Sequence, residues 1–300
     1  MQPVTKRSAT GNWLTTTLGK LLIILLSTSA LTAVALEQKP LRVASAANFT
    51  ATLRVLAQHY QNETGITVEL SSGSSGKLYA QIVQGAPYDV FFSADVERPQ
   101  GLEAAGLTLK DSRFTYALGR LVLWSPDKNL NNKPPTLNEN INNAAGLVSA
   151  ALNKSLSNEN FRFIALANPR HAPYGKAARE VLQATGDWQT LQKNQQLVIA
   201  SNVAQARQFT ATGNAQLGFV ALSQIMPNAG EVSLEKHILI IPDALYTPIE
   251  QQAVILKRST QQNSALAFMR WIKNSANARD IIETTGYKIP SLSPQAKLHS

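Results

Sequence analysis

The sequence contains no cysteine. This absence excludes disulfide bonds, thiolate metal ligands, a cysteine nucleophile and a lipid-modified N-terminal cysteine. Long apolar segments are scarce too, because beyond the N-terminal region no run approaches the roughly 20 apolar residues that a membrane-spanning helix requires. We therefore expect the body of the chain to fold as a soluble protein.

The N-terminal region has the order of a secretory signal peptide. Basic residues come first, the apolar residues 21–26 follow, and Ala33 and Ala35 form an A-x-A cleavage pattern. We expect cleavage after Ala35 and a mature protein that works in the periplasm. The alternative is an uncleaved membrane anchor, which is disfavoured because the apolar run is short and no stop-transfer flank follows it.

The charge of the chain gives no support to a nucleic-acid partner. The sequence holds 28 Lys and Arg against 19 Asp and Glu, for a net charge of +9. Three basic residues and no acidic residue belong to the leader, so the mature chain has 25 basic against 19 acidic residues, a net charge of +6. Its Lys and Arg are scattered rather than clustered, which favours a solvated basic surface over a nucleic-acid-binding stripe.

Beyond the leader, short apolar runs alternate with amphipathic helical patterns. Phe49, Leu53, Leu56 and Tyr60 recur at the spacing of one helix face, and Gly65 marks the end of that predicted helix. Repeated β-α-β units predict parallel sheets. Strands are predicted at residues 41–45, 66–70, 89–94, 161–167, 196–200 and 217–222.

The length of the mature chain predicts two lobes, because about 265 residues exceed what one core usually organises. The run 114–124 is predicted to carry the chain out of the first lobe, and the run 252–256 to return it. The fold class is therefore α/β, with two parallel-sheet-based lobes joined by a two-strand hinge. The Asn- and Pro-rich stretch 127–143 is predicted to be a surface excursion. The predicted division is signal peptide 1–35, first lobe 36–118, second lobe 119–245 and return segment 246–300 of the first lobe.

Four predicted strand-to-helix turns share a composition that suits anion binding. In open parallel sheets, ligands bind beyond the carboxyl ends of strands, where helix N-termini expose unpaired N–H groups. These turns lack charged side chains and consist of small or amide residues, with hydroxyls at Ser75, Tyr174 and Ser201. Donors without counter-charges favour reversible binding of a small tetrahedral oxyanion. The four turns are residues 46–48, 71–76, 172–175 and 201–203.

The Ser- and Gly-rich turn 71–76 has two alternative interpretations. Such turns are commonly flexible loops, although the helix that follows and the similar neighbouring turns favour a site. An enzyme reading would make Ser75 a nucleophile, but the turn does not fit G-x-S-x-G and no histidine is placed to serve it. The four histidines are widely spread, and none forms a metal-ligand pair at helical spacing. We therefore expect a binding protein with no catalytic residues, no cofactor and no metal-ligand cluster.

Four segments of the sequence carry a family resemblance. They are GSSGKLYAQI (73–82), GAPYDVFFSAD (85–95), NPRHAPYG (168–175) and GFVAL (218–222). They resemble the molybdate-binding proteins of bacterial ABC transporters, and the likeness covers nearly all of the mature chain. The resemblance implies a type II periplasmic binding protein that captures molybdate or tungstate between its lobes and delivers it to an inner-membrane permease. A monomer is expected, because both lobe faces must be free for the permease.

Matched motif by motif, the resemblance places five residues in the molybdate site. Asn48 and Ser75 would supply donors from the first lobe, and Ala47 would add a backbone N–H. Tyr174 and Val203 would supply mainly backbone N–H groups from the second lobe. The same residues would hold the metal as its oxyanion.

The chain departs from the family pattern at two places. Many members carry Ser or Thr at the position of Ala47 or of Asn48, and some have a tyrosine where this chain has Ala221. Sulfate and phosphate are the alternative ligands. Phosphate carries a proton near pH 7 and its selective site gains from a carboxylate acceptor, whereas sulfate and molybdate carry none. Asp95, the acid close to a strand end, is predicted to be the N-cap of the next helix.

Overall fold

The computed structural model describes residues 39–126, 144–156, 162–226 and 238–290, together with the first methionine. Apart from the first methionine, the predicted signal peptide, 1–35, lies outside the described residues, as does the predicted surface excursion, 127–143. The chain divides into two compact units, Met1–Lys39 and Pro40–Ser300, and the elements below belong to the second. Within the described ranges, no helix combines the length and the apolar character that crossing a bilayer requires.

The strands and helices of the described residues are numbered in chain order. The strands are β1 (Leu41–Ala46), β2 (Val68–Gly73), β3 (Val90–Phe92), β4 (Phe114–Gly119), β5 (Leu121–Trp124), β6 (Ile164–Ala167), β7 (Leu197–Ala200), β8 (Leu217–Ala221), β9 (Ile238–Ile240) and β10 (Ile249–Ile255). The helices are α1 (Thr50–Thr64), α2 (Ser75–Val83), α3 (Glu97–Ala104), α4 (Ala144–Leu156), α5 (Pro173–Ala184), α6 (Trp188–Lys193), α7 (Val203–Ala211), α8 (Gln262–Asn274) and α9 (Ala276–Thr284). Two short 3₁₀ helices are Leu222–Gln224 and Asp243–Leu245.

The strands form two five-stranded sheets of the same pattern, in the orders β2-β1-β3-β10-β4 and β7-β6-β8-β5-β9. In the first sheet β1 runs parallel to β2 and β3, while β10 is antiparallel to β3 and β4. In the second, β6 runs parallel to β7 and β8, while β5 is antiparallel to β8 and β9. We call the first sheet with its helices lobe I and the second with its helices lobe II. The predicted two-lobed α/β fold is confirmed, and antiparallel strands complete each parallel sheet.

The chain crosses between the sheets at the predicted hinge. The run 114–124 reads as one strand in the sequence, but Arg120 separates β4 in lobe I from β5 in lobe II. The break follows Gly119, where a Cβ atom would collide with the Tyr174 hydroxyl and lie 2.7 Å from Nε2 of Gln251. Strand β10 then returns the chain to lobe I. The predicted domain boundaries themselves stay predictions.

The apolar stripe of α1 explains why this helix forms where the sequence predicts it. Phe49, Leu53, Leu56 and Tyr60 are at most 2% exposed and pack in the core of lobe I. Burial of each such side chain contributes about 1.5–3 kcal/mol. Gly65 ends the helix with a φ of 75°, a left-handed conformation that glycine adopts without strain.

Three elements were outside the sequence predictions, namely α4, α6 and β9. In α4, Val148 and Leu152 are buried one turn apart. Helix α6 has six residues, of which Leu191 is buried, and β9 has three residues. With six and three residues, α6 and β9 have too few periodic positions to stand out from the surrounding sequence.

The prediction that Asp95 is the N-cap of the next helix is wrong by one position. Val96 occupies the N-cap of α3. The Asp95 carboxylate nevertheless accepts the backbone N–H of Arg98 at 3.1 Å and pairs with the Arg98 guanidinium. It therefore satisfies a first-turn donor, which is the physical role of a cap.

Candidate anion-binding site

A small cavity lies between the lobes, at the carboxyl ends of the parallel strands. The empty space between its wall atoms is about 200 Å³, open solvent included. None of the residues that line it is charged. The lining residues are Ala46, Ala47, Asn48, Gly73, Ser74, Ser75, Ala94, Ala172, Pro173, Tyr174, Asn202 and Val203.

Three helices begin at this cavity. Ser75 starts α2, Pro173 starts α5 and Val203 starts α7, and all three residues line the wall. The first N–H groups of a helix lack an intrahelical partner and carry partial positive charge. The wall is therefore electropositive although it contains no cationic side chain.

Several backbone N–H groups of the wall are free to donate, and four of them belong to residues that the family resemblance places in the site. Those of Asn48, Ser75, Tyr174 and Val203 have no hydrogen-bond partner in the part of the chain that the structure describes. Two of them come from lobe I and two from lobe II. The fold thus brings together, in one cavity, donors that lie up to 155 residues apart in the sequence.

Ala47 lines the cavity, but its N–H is engaged. It donates to the carbonyl oxygen of Gly73 at 2.8 Å. Ala47 therefore contributes its methyl group to the wall. Ala221 lies at the end of β8, is fully buried and is not one of the lining residues.

Ser75 offers a hydroxyl in addition to its N–H. The residue is 1% exposed, and its Oγ accepts the backbone N–H of Ala94 at 2.9 Å. Because this N–H occupies a lone pair of the oxygen, the hydroxyl proton is available to donate. The Ser75 side chain is thereby prepared to act as a donor to an anion.

Asn48 engages its side-chain amide in a buried network. Its Nδ2 donates to Oε1 of Gln251 at 2.8 Å and to the Tyr287 hydroxyl at 3.1 Å. The Tyr287 hydroxyl donates back to the Asn48 carbonyl at 2.8 Å, and the Tyr116 hydroxyl donates to Oε1 of Gln251 at 2.9 Å. Both amide hydrogens of Asn48 are therefore used inside the protein, and the donor left for the cavity is the backbone N–H.

Tyr174 offers a backbone N–H to the cavity, and its phenol is bonded inside the protein. The residue is 2% exposed, and its hydroxyl accepts Nε2 of Gln251 at 3.4 Å. Burial raises the pKa of the phenol well above its usual value of 10.0, and nearby Tyr287 and Tyr246 raise it further. The phenol therefore stays neutral, and the backbone N–H of Tyr174 is a free donor.

Val203 is prepared by the cap of α7. The Asn202 side chain accepts the N–H of Gln205 at 2.9 Å, which leaves the N–H of Val203 free. The N–H of Ser201 donates to Oε1 of Gln205 at 2.7 Å. Ser201 is not a lining residue, so the hydroxyl that the sequence suggested at this turn does not belong to the cavity wall.

The lobes touch each other beside the cavity. The N–H of Gly76 in lobe I donates to the carbonyl oxygen of His171 in lobe II at 2.9 Å. The Ser223 hydroxyl of lobe II donates to the Tyr287 hydroxyl at 2.9 Å and to the Asn48 carbonyl at 3.2 Å. These contacts hold donors of both lobes around the same space.

Three residues of this region were not predicted from the sequence, namely Ser223, Gln251 and Tyr287, and Ser74 was predicted only as part of the turn 71–76. Glu250, Gln251 and Gln252 form a polar run between the apolar residues of β10, a signal that could have indicated buried hydrogen bonds. Tyr287 and Ser223 reach Asn48 across 239 and 175 residues, and no local pattern predicts such contacts. Ser74 looks in sequence like any other serine of its turn.

The arrangement suits an anion and not a metal cation. N–H and O–H donors stabilise negative charge, whereas a cation requires lone-pair ligands. Over the described ranges, no group of three or more His, Cys, Asp or Glu residues could hold a metal ion. The chemistry of the cavity wall therefore suits a small, fully ionised oxyanion.

Comparison with known proteins agrees with a site of this class. Residues 41–288 match the family described as bacterial extracellular solute-binding protein, and the chain belongs to this family. The prediction of a solute-binding protein without catalytic function or cofactor is thereby confirmed.

Particular relatives are molybdate-binding proteins. The molybdate-binding protein ModA of Azotobacter vinelandii is 39% identical over 259 residues, 86% of this chain and 94% of the relative. ModA of Rhodobacter capsulatus is 39% identical over 244 residues, 81% of this chain and 86% of the relative. The solved structure of the Azotobacter vinelandii periplasmic molybdate-binding protein is 43% identical, covers 84% of this chain and 100% of its own, and has a TM-score of 0.71. This likeness confirms the type II periplasmic binding protein fold.

Proposed function

We propose that this protein captures molybdate between its lobes as the periplasmic solute-binding component of an ABC importer. The observation that carries the proposal is the convergence of four unpartnered N–H groups and the Ser75 hydroxyl, from two lobes, on one uncharged cavity. The similar Azotobacter and Rhodobacter proteins are molybdate-binding proteins, which supports this choice of ligand.

In the proposed complex, Asn48 and Ser75 donate from lobe I, and Tyr174 and Val203 donate from lobe II. Hydrogen bonds to an ionised acceptor are stronger than neutral ones, and the positive ends of three helices add to them. Ala47 lines the anion through its methyl group, since its N–H is already bonded within lobe I. Without a cationic side chain to hold the dianion, binding stays reversible, as a carrier requires.

Binding is coupled to hinge closure. Each lobe alone presents only part of the donor set, and the full set exists where the lobes meet. An anion therefore interacts more favourably with the closed form and shifts the population towards it. We propose that the closed, loaded monomer then presents both lobe faces to an inner-membrane permease, and that the N-terminal signal peptide directs the chain to the periplasm.

The chemistry of the wall favours some oxyanions over others. Monohydrogen phosphate needs an acceptor for its proton, and no lining residue of the cavity is an acid. Molybdate and tungstate are unprotonated tetrahedral dianions of nearly equal size, so we propose that both bind. Sulfate is also unprotonated, but it is smaller than molybdate. A cavity that fits molybdate would therefore bind sulfate less well.

A thermal-shift titration of the mature protein with molybdate, tungstate, sulfate and phosphate tests this function. A ligand bound only by the folded protein adds about 2.7 kcal/mol to the free energy of unfolding at 100 times its dissociation constant. We expect stabilisation by molybdate and tungstate at micromolar levels and none by the other two. Stabilisation by sulfate or phosphate instead would reassign the cargo, and four flat titrations would reject an oxyanion carrier.

A further inference from the structure

One buried hydroxyl in the cavity wall has no partner. Among the buried side-chain polar atoms of the described residues, Oγ of Ser74 and Oδ2 of Asp187 lack a hydrogen bond. Asp187 lies away from the cavity, at the start of α6. Ser74 is 3% exposed and lines the cavity next to Ser75. Because buried polar groups are nearly always paired, an unpaired hydroxyl in the wall of this cavity indicates that its partner belongs to the ligand that the cavity binds.

Ser74 occupies a helix position at which its hydroxyl would ordinarily form a hydrogen bond. Ser74 is the N-cap of α2, with φ −70° and ψ 145°, where a serine hydroxyl usually accepts an N–H of the first helical turn. No such cap bond is present. Its backbone carbonyl is used, because it accepts the N–H of Leu78 at 3.0 Å. The hydroxyl of Ser74 is therefore buried without serving as a helix cap.

We propose that the Ser74 hydroxyl is a further donor to the bound oxyanion, alongside the hydroxyl of Ser75. This inference rests on the proposed function. Two adjacent serines then provide two O–H donors from the same helix start, and the anion satisfies a hydroxyl that is otherwise buried without a partner. An oxyanion has enough lone pairs on its oxygens to accept both hydroxyls in addition to the four backbone N–H groups.

The variant Ser74→Ala tests the proposal by two readouts that move in different directions. We expect the dissociation constant for molybdate, measured by calorimetry, to rise about tenfold, because one donor to the charged ligand is lost. The melting temperature of the anion-free protein should stay the same or rise, since the alanine removes an unpaired buried hydroxyl. A helix cap would behave in the opposite way, with a lower melting temperature and an unchanged dissociation constant.

Two further variants make the result unambiguous. Ser72→Ala is the matched control two residues earlier, where the serine is exposed and its hydroxyl bonds to Oγ1 of Thr50 at 2.8 Å. It should leave the dissociation constant unchanged. Ser75→Ala is the positive control and should weaken binding. If Ser75→Ala weakens binding and Ser74→Ala does not, the role of Ser74 is refuted while the carrier function stands. If the unmodified protein binds no molybdate, both proposals are refuted.

Discussion

At the residue scale, the hydroxyl of Ser75 is the clearest single contribution to the proposed site. Its Oγ accepts the N–H of Ala94, which orients the proton for donation, and the residue is almost fully buried. We expect Ser75→Ala to weaken molybdate binding by about 1–3 kcal/mol, the usual cost of losing a hydrogen bond to a charged group. Isothermal titration calorimetry measures the change. Ser71→Ala, on the exposed part of the preceding strand, is the control, and an unchanged constant for Ser75→Ala would remove its hydroxyl from the site.

The sequence predicted that Asn48 and Tyr174 belong to the site, but not which of their atoms are available to a ligand. The turn composition and the family resemblance selected Asn48 and Tyr174, and both line the cavity. Neither approach could tell which of their atoms face the ligand. The amide of Asn48 and the phenol of Tyr174 are both hydrogen-bonded to Gln251. Gln251 lies 203 residues after Asn48 and 77 residues after Tyr174 in the chain. Only packing decides that the backbone N–H groups are what is left to donate.

At the element scale, the start of α2 is shaped for contact with lobe II. A Cβ atom on Gly76 would lie 3.0 Å from the carbonyl oxygen of His171, 3.1 Å from its Cα and 3.1 Å from Nη2 of Arg98. The first two are backbone atoms that cannot rotate away. Glycine at position 76 therefore permits the hydrogen bond between the lobes, and a larger residue would hold them apart.

We accordingly expect Gly76→Ala to raise the dissociation constant for molybdate about tenfold or more, because the strain acts on the closed form to which the anion binds. The anion-free protein should keep its melting temperature, since alanine suits a helix better than glycine does. Gly101→Ala in α3 is the matched control, because its Cβ would meet only the flexible side chain of Tyr79, at 3.3 Å. Equal affinities of the two variants would show that the Gly76 contact does not contribute to closure.

At the scale of the whole molecule, four tyrosines buried at and near the hinge make the free energy of unfolding depend on pH in the alkaline range. Burial is the main cause that raises the pKa values of Tyr116, Tyr174, Tyr246 and Tyr287 above the usual value of 10.0. Above about pH 10 the unfolded chain loses phenol protons that the folded protein retains. The stabilisation is complete below that pH and is lost as the pH rises towards the folded pKa values.

We therefore expect the free energy of unfolding to fall above about pH 10, by about 1.4 kcal/mol per pH unit for each of these tyrosines. Urea unfolding at a series of pH values, with tyrosinate absorbance followed in parallel, measures both quantities. Tyr287→Phe should reduce the slope by the share of one tyrosine. Tyrosinate absorbance from all seven tyrosines before any unfolding would contradict the prediction.

Much of the architecture follows from local sequence patterns. The stripe from Phe49 to Tyr60 and the stop at Gly65 suffice to place α1, because apolar periodicity and a left-handed glycine act over a few residues. The uncharged turns at the ends of β1, β2, β6 and β7 likewise predicted where an anion could bind, since helix N-termini expose donors whatever the rest of the fold does.

Other features were decided only by the tertiary structure. One is the break between β4 and β5, which belong to different lobes. The others are long-range hydrogen bonds: the Ala47 N–H bonds to Gly73, and a network links Asn48 to Gln251, Tyr287 and Ser223. By itself the sequence determined the α/β class, the two lobes and the uncharged character of the site. Which donors are free, and which hydroxyl is left without a partner, depends on how two sheets pack against each other, and that geometry is set by long-range contacts that no local pattern encodes.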